Sequence, residues 1–408
     1  MKYFVSAFRA RMLAAFAAAA MLILAGPAQP RNFLQHKPNQ SDLANVNQES
    51  QNPIQVLTSL VQVDAIVTDK NGKHIAGLEP ENFLLFEDNH VQKIIAADYF
   101  DVSNAQDSGD SGPIFVSLLS SNDSQTLRAM GHNHRLIVLF FDLTSFRSSA
   151  SDGAPDFNNV LRTVGAAKQF VKEQMTSADL VSVVSFGTDL LVLSDFTNDR
   201  GTVDHALDSL LPGTGALDPS LPRNMNNTLM PGTFVHGATG LEAAQALSEM
   251  LAQIPGRKSV IHFTDGLGSS GGSGLDRTTG AANKSNASFY EVVAAGLCVS
   301  PPAGDASVGF REGGPGVAHS GPVGSCASVG VLYTLAADTG GELFRDSNDF
   351  APYFKQVQEE STGYYLLAYD PSNKKRDGGY RSIAVKLIGV PGGHLTYRPG
   401  YYAPRDAK

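Results

Sequence analysis

The stretch RLIVLFFDLTSF, residues 135–146, decides the fold of the central part of this chain. Its first seven residues are mostly apolar and run directly into Asp142, which is followed closely by Thr144 and Ser145. A short continuous apolar run is typical of a strand that is buried on both faces. In open α/β sheets, functional residues gather at the carboxyl ends of the strands, near the point where the strand order reverses. Asp142 is therefore the first candidate functional residue.

Strand and helix patterns alternate between residues 134 and 361. Apolar residues recur at helical spacing over 157–175, while DLVSVVSFG (179–187) and KSVIHFTDG (258–266) have the composition of buried strands. Strands that alternate with helices imply crossover connections and a parallel sheet covered by helices on both faces. We predict a doubly wound, Rossmann-like α/β domain over residues 134–361.

The segments on either side of this domain have a different periodicity. Residues 54–101 and 362–404 alternate apolar and polar side chains, which is the pattern of half-buried antiparallel strands. Each segment is small for an independent core, so we predict that the two pair into one small antiparallel β-domain. Residues 102–133, rich in Ser, Asp and Gly, are predicted to be a linker.

The amino terminus predicts export. Within residues 1–28, basic residues precede an apolar run at 12–24 and small residues follow it, which is the order of a secretory signal peptide. The run is short for a membrane span of roughly twenty residues, although an uncleaved anchor is the alternative. Residues 29–53 are predicted to be a disordered linker. We expect a secreted or periplasmic protein with no membrane span in the mature chain.

Composition argues against nucleic acid as a partner. The chain has 408 residues and a formal net charge of -9, with few clusters of Lys and Arg. An acidic chain lacks the electrostatic attraction to phosphates on which most nucleic-acid binding depends.

The two cysteines, Cys298 and Cys326, enclose a stretch rich in Gly and Pro. In an oxidising compartment a disulfide between them would fix both ends of that stretch. Two separate buried thiols are the alternative.

A second aspartate follows a later buried strand. Asp265 lies in the run HFTDG (262–266), and if its strand lies beside the strand of Asp142, the two carboxylates meet at one edge of the sheet. Thr144 accompanies the first aspartate, and Thr239 opens a helix just before the second strand. Carboxylates and hydroxyls without thiolates or paired histidines suit Mg²⁺ or Mn²⁺. The alternative is that both aspartates hydrogen-bond backbone amides and hold loops in place.

These residues resemble the von Willebrand factor type A domain. The metal-ion-dependent adhesion site of that family uses D-x-S-x-S, a Thr before a later helix and an Asp in a TDG-like turn, and Asp142, Thr144, Thr239 and Asp265 match those places. The chain more closely resembles the von Willebrand factor A-related proteins recorded mainly from Acidobacteria. That likeness covers residues 54–403 and is carried by VTDxxGxxxxGLxxxxFxxxEDxxxQ (67–92), GRKxxxxxTDG (256–266), ADTGGELF (337–344) and YYLLAYDPxxxxxDGGYRxIxVK with YRPGYY near the carboxyl terminus.

The sequence departs from the adhesion motif at one position. Phe146 stands where the motif has its second hydroxyl, and a phenyl ring cannot ligate a cation. The resemblance implies a protein-binding or adhesion module in which an acidic side chain of a partner protein completes the coordination of the metal. With Phe146 the site is degenerate.

Two other functions compete with binding. A metal-free structural scaffold of the cell envelope is one, and a hydrolase that uses the two carboxylates with a nearby Ser or His is the other. The chain contains neither G-x-S-x-G nor H-E-x-x-H, which makes catalysis the weaker hypothesis. His236 and His262 lie near the same loops, and we interpret both as structural.

Overall fold

A computed structural model describes residues 60–102, 114–118, 133–146, 157–187, 189–211, 239–267, 272–295 and 329–405. The predicted signal peptide and first linker lie outside these residues, as do His236, Cys298 and Cys326. The strands are β1 (Val61–Thr68), β2 (Phe83–Glu87), β3 (His90–Gln92), β4 (Ile94–Asp101), β5 (Phe115–Val116), β6 (Arg135–Asp142), β7 (Asp179–Phe186), β8 (Leu190–Thr197), β9 (Lys258–Thr264), β10 (Ala287–Val293), β11 (Leu343–Phe344), β12 (Gly363–Tyr369), β13 (Tyr380–Leu387), β14 (His394–Tyr397) and β15 (Gly400–Tyr402). The helices are α1 (Phe157–Glu173), α2 (Arg200–Asp208), α3 (Gly240–Leu251), α4 (Gly272–Ser285), α5 (Val329–Thr339) and α6 (Ala351–Thr362).

The central sheet has the order β11-β10-β9-β6-β7-β8-β5. Its strands all run in one direction except β8, which is antiparallel to both of its neighbours, β7 and β5. If β5 is left out and the strands are numbered along the chain from β6 as 1 to β11 as 6, their order across the sheet is 3-2-1-4-5-6. This is the doubly wound order, and its switch point lies between the first strand and the fourth. The predicted doubly wound α/β domain is confirmed, with β6 and β9 at the switch point.

Helices cover both faces of this sheet. Helices α3, α4 and α5 pack with Val138 and Phe140 of β6, whereas α1, α2 and α6 pack with Leu139 and Phe141. Successive side chains of a strand point to opposite faces, so one apolar run contributes to two cores. This is why β6 is apolar without alternation.

The β-domain consists of two four-stranded antiparallel sheets, β14-β1-β12-β4 and β15-β13-β2-β3. Val63, Leu85, Tyr365 and Val385 belong to the core cluster that the strands of both sheets share. Strands from before and after the α/β domain pair directly, since β12 lies between β1 and β4, and β13 lies beside β2. The prediction that the two terminal segments form one β-domain is confirmed.

Part of the segment predicted to be a linker belongs to the central sheet. Within 102–133, β5 pairs with β8, and the backbone N–H groups of Ile114 and Leu118 donate to the side chains of Asn198 (2.9 Å) and Asp195 (2.9 Å). Two residues are too few to produce a sequence periodicity, so the strand could not be recognised from the pattern.

None of the six helices in the described ranges has the length and apolar character that a membrane span requires.

A buried polar network joins the two domains. Arg257, at the start of β9, donates to Asp64 of β1 (3.3 Å), to the Tyr290 hydroxyl (2.9 Å) and to the Gly340 carbonyl (3.2 Å). Its backbone N–H donates to the Tyr364 hydroxyl at 3.1 Å. The side chains of Arg257 and Asp64 are 4% and 7% exposed, so neither charge is solvated when its partner is lost.

We predict that Arg257→Met destabilises the protein by about 3–5 kcal/mol, because it leaves the Asp64 carboxylate buried without its partner charge. The double variant Asp64→Asn/Arg257→Met should recover part of this loss. Urea unfolding measures both. The control is Lys355→Met, which removes an exposed ion pair with Glu359 and should change stability by less than about 1 kcal/mol. Equal effects of Arg257→Met and Lys355→Met would contradict a structural role for the buried pair.

Lys258 lies next to this network and is itself completely buried. Its Nζ donates to the Ile254 carbonyl at 2.6 Å. Burial lowers the pKa of Lys258 to about 7, although Asp64 acts in the opposite direction. Between about pH 7 and the ordinary lysine pKa of about 10.4, Lys258 is therefore protonated in the unfolded chain and neutral in the folded chain. In this window stability increases as the pH rises.

We predict that the free energy of unfolding of the wild type, taken relative to that of Lys258→Met, rises between pH 7.5 and 9.5 by up to about 1.4 kcal/mol per pH unit. Urea unfolding of both proteins at several pH values gives the difference between their free energies of unfolding. The contributions of all other titrating groups are common to both proteins and cancel in this difference. Parallel stability curves would show that Lys258 stays charged in the folded protein.

Candidate functional site

Asp142 and Asp265 follow adjacent parallel strands. Strand β6 pairs with β9 in the register Phe141 to Phe263, so the residues that end both strands emerge at the same edge of the sheet. The two strands are therefore neighbours, as is required if Asp142 and Asp265 are to lie at one edge of the sheet. We call the group Asp142, Thr144, Ser145, Thr239 and Asp265 the strand-end rim.

The carboxylate of Asp142 is held by the residue two positions later. Its Oδ1 accepts hydrogen bonds from the backbone N–H of Thr144 at 3.1 Å and from the Thr144 hydroxyl at 2.6 Å. Asp142 is only 1% exposed. Burial raises the pKa of Asp142, while His262 and the Thr144 hydrogen bonds act in the opposite direction. A cation near this buried carboxylate would relieve the cost of its charge.

Ser145 links the two halves of the rim. Its hydroxyl donates to the Asp142 carbonyl at 2.7 Å and accepts from the backbone N–H of Asp265 at 3.0 Å. Ser145 stands at an unspecified position of D-x-S-x-S, so the motif does not point to it. The turn that follows β6 directs its hydroxyl across to the end of β9.

Thr239 caps the amino terminus of α3. Its hydroxyl accepts from the backbone N–H of Glu242 at 3.4 Å, and the Glu242 carboxylate accepts from the backbone N–H of Thr239 at 2.8 Å, which makes a capping box. Gly240 follows directly, and a Cβ at Gly240 would lie 2.5 Å from Oδ2 of Asp142. The cap of α3 therefore adjoins the Asp142 carboxylate.

Asp265 has protein partners that the sequence did not reveal. Its Oδ2 accepts from the side-chain amide of Asn159 at 2.6 Å. The oxygen of that amide accepts in turn from Arg162, whose guanidinium also donates to the Ala294 carbonyl after β10. Two asparagines in the first turn of a helix gave no signal for this contact, which joins residues 106 positions apart.

Phe146 is fully buried and packs in the core beneath α1. The ring that replaces the second hydroxyl of the motif is thus fixed in an apolar environment.

A second ionisable pair lies below the rim. Nδ1 of His262 is 2.7 Å from Oε2 of Glu291, and both side chains are 0% exposed. Burial alone lowers the pKa of His262, but Glu291, with a contribution from Asp142, outweighs it, so the pKa of His262 is raised. Burial raises the pKa of Glu291. His262 stacks on Phe140, with ring centroids 4.6 Å apart, which agrees with a structural role.

The donor atoms of the rim suit a hard divalent cation in kind, since they are carboxylate and hydroxyl oxygens. Among the described residues, no three His, Cys, Asp or Glu side chains form a group that could hold a metal. A cation would therefore rely on two carboxylates, two hydroxyls and water. The hydrogen bonds of Asp142, Thr239 and Asp265 show that such a cation would compete with protein donors.

No protein-family model and no curated protein matches the sequence. The sheet order nevertheless shows a doubly wound α/β fold.

Solved structures with some likeness to the chain include a bacterial protein, a mussel byssus protein and a domain of a pilus tip protein. BatB from Bacteroides thetaiotaomicron shares 16% identity, with 56% of this chain and 97% of that chain covered and a TM-score of 0.33. Proximal thread matrix protein 1 from the mussel byssus, with a zinc-occupied MIDAS motif, shares 16% identity over 58% of this chain and 48% of that one, with a TM-score of 0.33. The vWF domain of the pilus tip protein Mfa5 from Porphyromonas gingivalis shares 18% identity over 33% and 38%, with a TM-score of 0.22. Likeness at this level carries no information about function.

We predict that Gly240→Ala destabilises the protein by about 1–3 kcal/mol, the range for overpacking a close-packed site. The added methyl group would lie 2.5 Å from Oδ2 of Asp142 and 2.5 Å from Cδ2 of Leu267. The control is Gly165→Ala in α1, where nothing lies within 4 Å of the new atom. That variant should gain roughly 0.5–1 kcal/mol from helix propensity. Thermal unfolding of both checks the prediction, and a stabilised Gly240→Ala would contradict the close approach of α3 to Asp142.

Proposed function

We propose that this chain is an exported protein-binding module whose binding surface is the strand-end rim. The observation that supports this proposal is that the strands that lead to Asp142 and Asp265 are adjacent and parallel at the switch point of the sheet. The crevice outside the carboxyl ends of the strands is where open α/β sheets bind ligands. Export rests on the signal-peptide pattern of residues 1–28.

The rim would hold Mg²⁺ or Mn²⁺ through Asp142, Thr144, Thr239 and Asp265, with water in the remaining positions. When bound, the cation supplies a positive charge that attracts an acidic side chain of a partner protein. The chain itself orients the ligands, because Ser145 fixes the two strand ends to each other and Thr239 fixes the start of α3. The loss of a hydroxyl at Phe146 makes this a weak, readily exchanged site.

A metal-free scaffold is the second candidate, and one observation favours it. Asp142 and Asp265 each accept a hydrogen bond of 2.6 Å from a neighbouring side chain, and Thr239 is used as a helix cap. This is the pattern expected if the aspartates only hold loops in place. Metal binding distinguishes the two candidates, because a scaffold needs none.

A hydrolase receives less support from the geometry. His262 is the histidine closest in sequence to Asp265 among the described residues, and it is completely buried and paired with Glu291. A general base must reach the proton that it removes, directly or through one water. His262 has no such access from the rim.

We predict saturable binding of Mn²⁺ and Mg²⁺ by the mature chain, residues 29–408, with dissociation constants near the 10⁻⁴–10⁻³ M range of weak oxygen-ligand sites. Asp142→Ala and Asp265→Ala should each abolish it, since each removes a carboxylate from the donor set. Isothermal titration calorimetry measures the binding.

The matched control is Asp204→Ala on α2, whose carboxylate is 46% exposed and pairs with Lys168. It should leave the dissociation constants unchanged. Circular dichroism confirms that each variant is folded. If the folded wild type releases no saturable heat up to millimolar metal, the scaffold replaces the binding module as the better account of the rim.

A further inference from the structure

The side chain of Asn159 has one orientation that satisfies both of its partners. Its Nδ2 donates to Oδ2 of Asp265 at 2.6 Å, and its Oδ1 accepts from Nη2 of Arg162. A flipped amide would direct the NH₂ group at the guanidinium and the oxygen at the carboxylate, and both contacts would be lost. The amide is therefore a directional link between a cationic and an anionic side chain.

Both terminal nitrogens of the Arg162 guanidinium donate hydrogen bonds. Nη2 also donates to the Ala294 carbonyl, just beyond β10, and Nη1 donates to Oδ1 of Asn348 at 3.2 Å. Arg162 is partly buried, so its charge is less screened than that of a surface arginine. Its positive charge is fixed one amide away from Asp265.

The two rim carboxylates are thus unequal. Asp142 accepts hydrogen bonds from Thr144 and feels the charge of His262 without a hydrogen bond to it, whereas Asp265 is linked by hydrogen bonds through Asn159 to the guanidinium of Arg162. A divalent cation that approaches Oδ2 of Asp265 meets the Asn159 donor on that oxygen and the positive charge of Arg162 behind it. Both effects weaken its binding.

We propose that Asn159 and Arg162 compete with the cation for Asp265 and thereby set the metal affinity of the strand-end rim. This inference rests on the proposed function, because it concerns the same site. Asn159 and Arg162 are positioning residues. While Asn159 donates to Oδ2 of Asp265, that oxygen is not available to a metal, and when the hydrogen bond breaks Asp265 becomes a ligand. Removal of either residue should therefore increase metal affinity.

The test measures Mn²⁺ binding by calorimetry for the wild type, Asn159→Ala, Arg162→Met, Arg162→Lys and Lys172→Met. Asn159→Ala and Arg162→Met should bind roughly tenfold more tightly, a change equivalent to about 1.4 kcal/mol. Arg162→Lys keeps the charge and should stay near the wild-type value. Lys172 is the matched control, since it is an exposed cation on the same helix, ten residues and about 15 Å further along.

A second readout separates competition from simple damage to the fold. Without metal, Asn159→Ala should melt at a lower temperature than the wild type, because Asp265 loses a hydrogen-bond donor. Saturating Mn²⁺ should raise its melting temperature by more than it raises that of the wild type, since the metal replaces that donor.

Equal or weaker binding by Asn159→Ala and Arg162→Met, beside a wild type that binds, would overturn this inference and leave the proposed function intact. Absence of saturable heat from all five folded proteins would overturn the proposed function itself, and the competitor with it. Tighter binding by both variants, with Arg162→Lys and Lys172→Met unchanged, is the expected result.

Discussion

The parallel pairing of β6 with β9 is the constraint on which the strand-end rim depends. The chain leaves β6 towards β7 on one side of the sheet and leaves β9 towards β10 on the other, so the two following loops diverge and open a crevice. The Ser145 hydroxyl holds the bases of these loops together by bonding to backbone atoms of both. Gly240 then lets α3 approach the Asp142 carboxylate more closely than a residue with a Cβ could. A change in the pairing of the two strands would separate Asp142, Thr144 and Ser145 from Asp265.

Burial gives the carboxylates of this region different electrostatic roles. Asp142 and Glu291 are both buried, and burial raises the pKa of each. Glu291 is paired with His262, while Asp265 is linked through Asn159 to Arg162. Asp142 has no cationic side chain among its hydrogen-bond donors. His262, which favours the charged form of Asp142, is not among these donors, and an added cation would act on Asp142 in the same direction.

Much of the architecture could be predicted from the sequence, because periodicity and turn chemistry are local. The unbroken apolar run of β6 indicated a strand between two helical layers, and the turn after Glu87 is formed by Asp88 and Asn89 with φ of 47° and 65°, a conformation that these residue types tolerate. The rim aspartates could be predicted for the same reason, since each directly follows a recognisable strand.

The contacts that modify the rim could not be predicted in this way. Asn159 and Asp265 are 106 residues apart, and their contact depends on how α1 packs over the sheet rather than on any local pattern. The role of Ser145 could not be predicted for a related reason, because the direction of its side chain is set by the turn after β6 and not by the spacing of the motif. Side-chain contacts between distant elements require the packed structure.

The two domains are connected in a way that fixes the rim relative to the β-domain. The α/β domain is inserted between β4 and β12, and these two strands pair with each other, so the insertion begins and ends at one place. The backbone N–H of Val102 donates to the Thr362 carbonyl at 2.9 Å, directly at that junction. Insertion is tolerated where the ends of a domain lie close together, because the host fold is then not distorted. Helix α6 passes into β12 without a loop, and the buried Arg257 contacts Asp64 of β1 from the start of β9. Strand β9 thus carries Arg257 next to its amino end and Asp265 next to its carboxyl end, and one buried strand connects the domain junction to the rim.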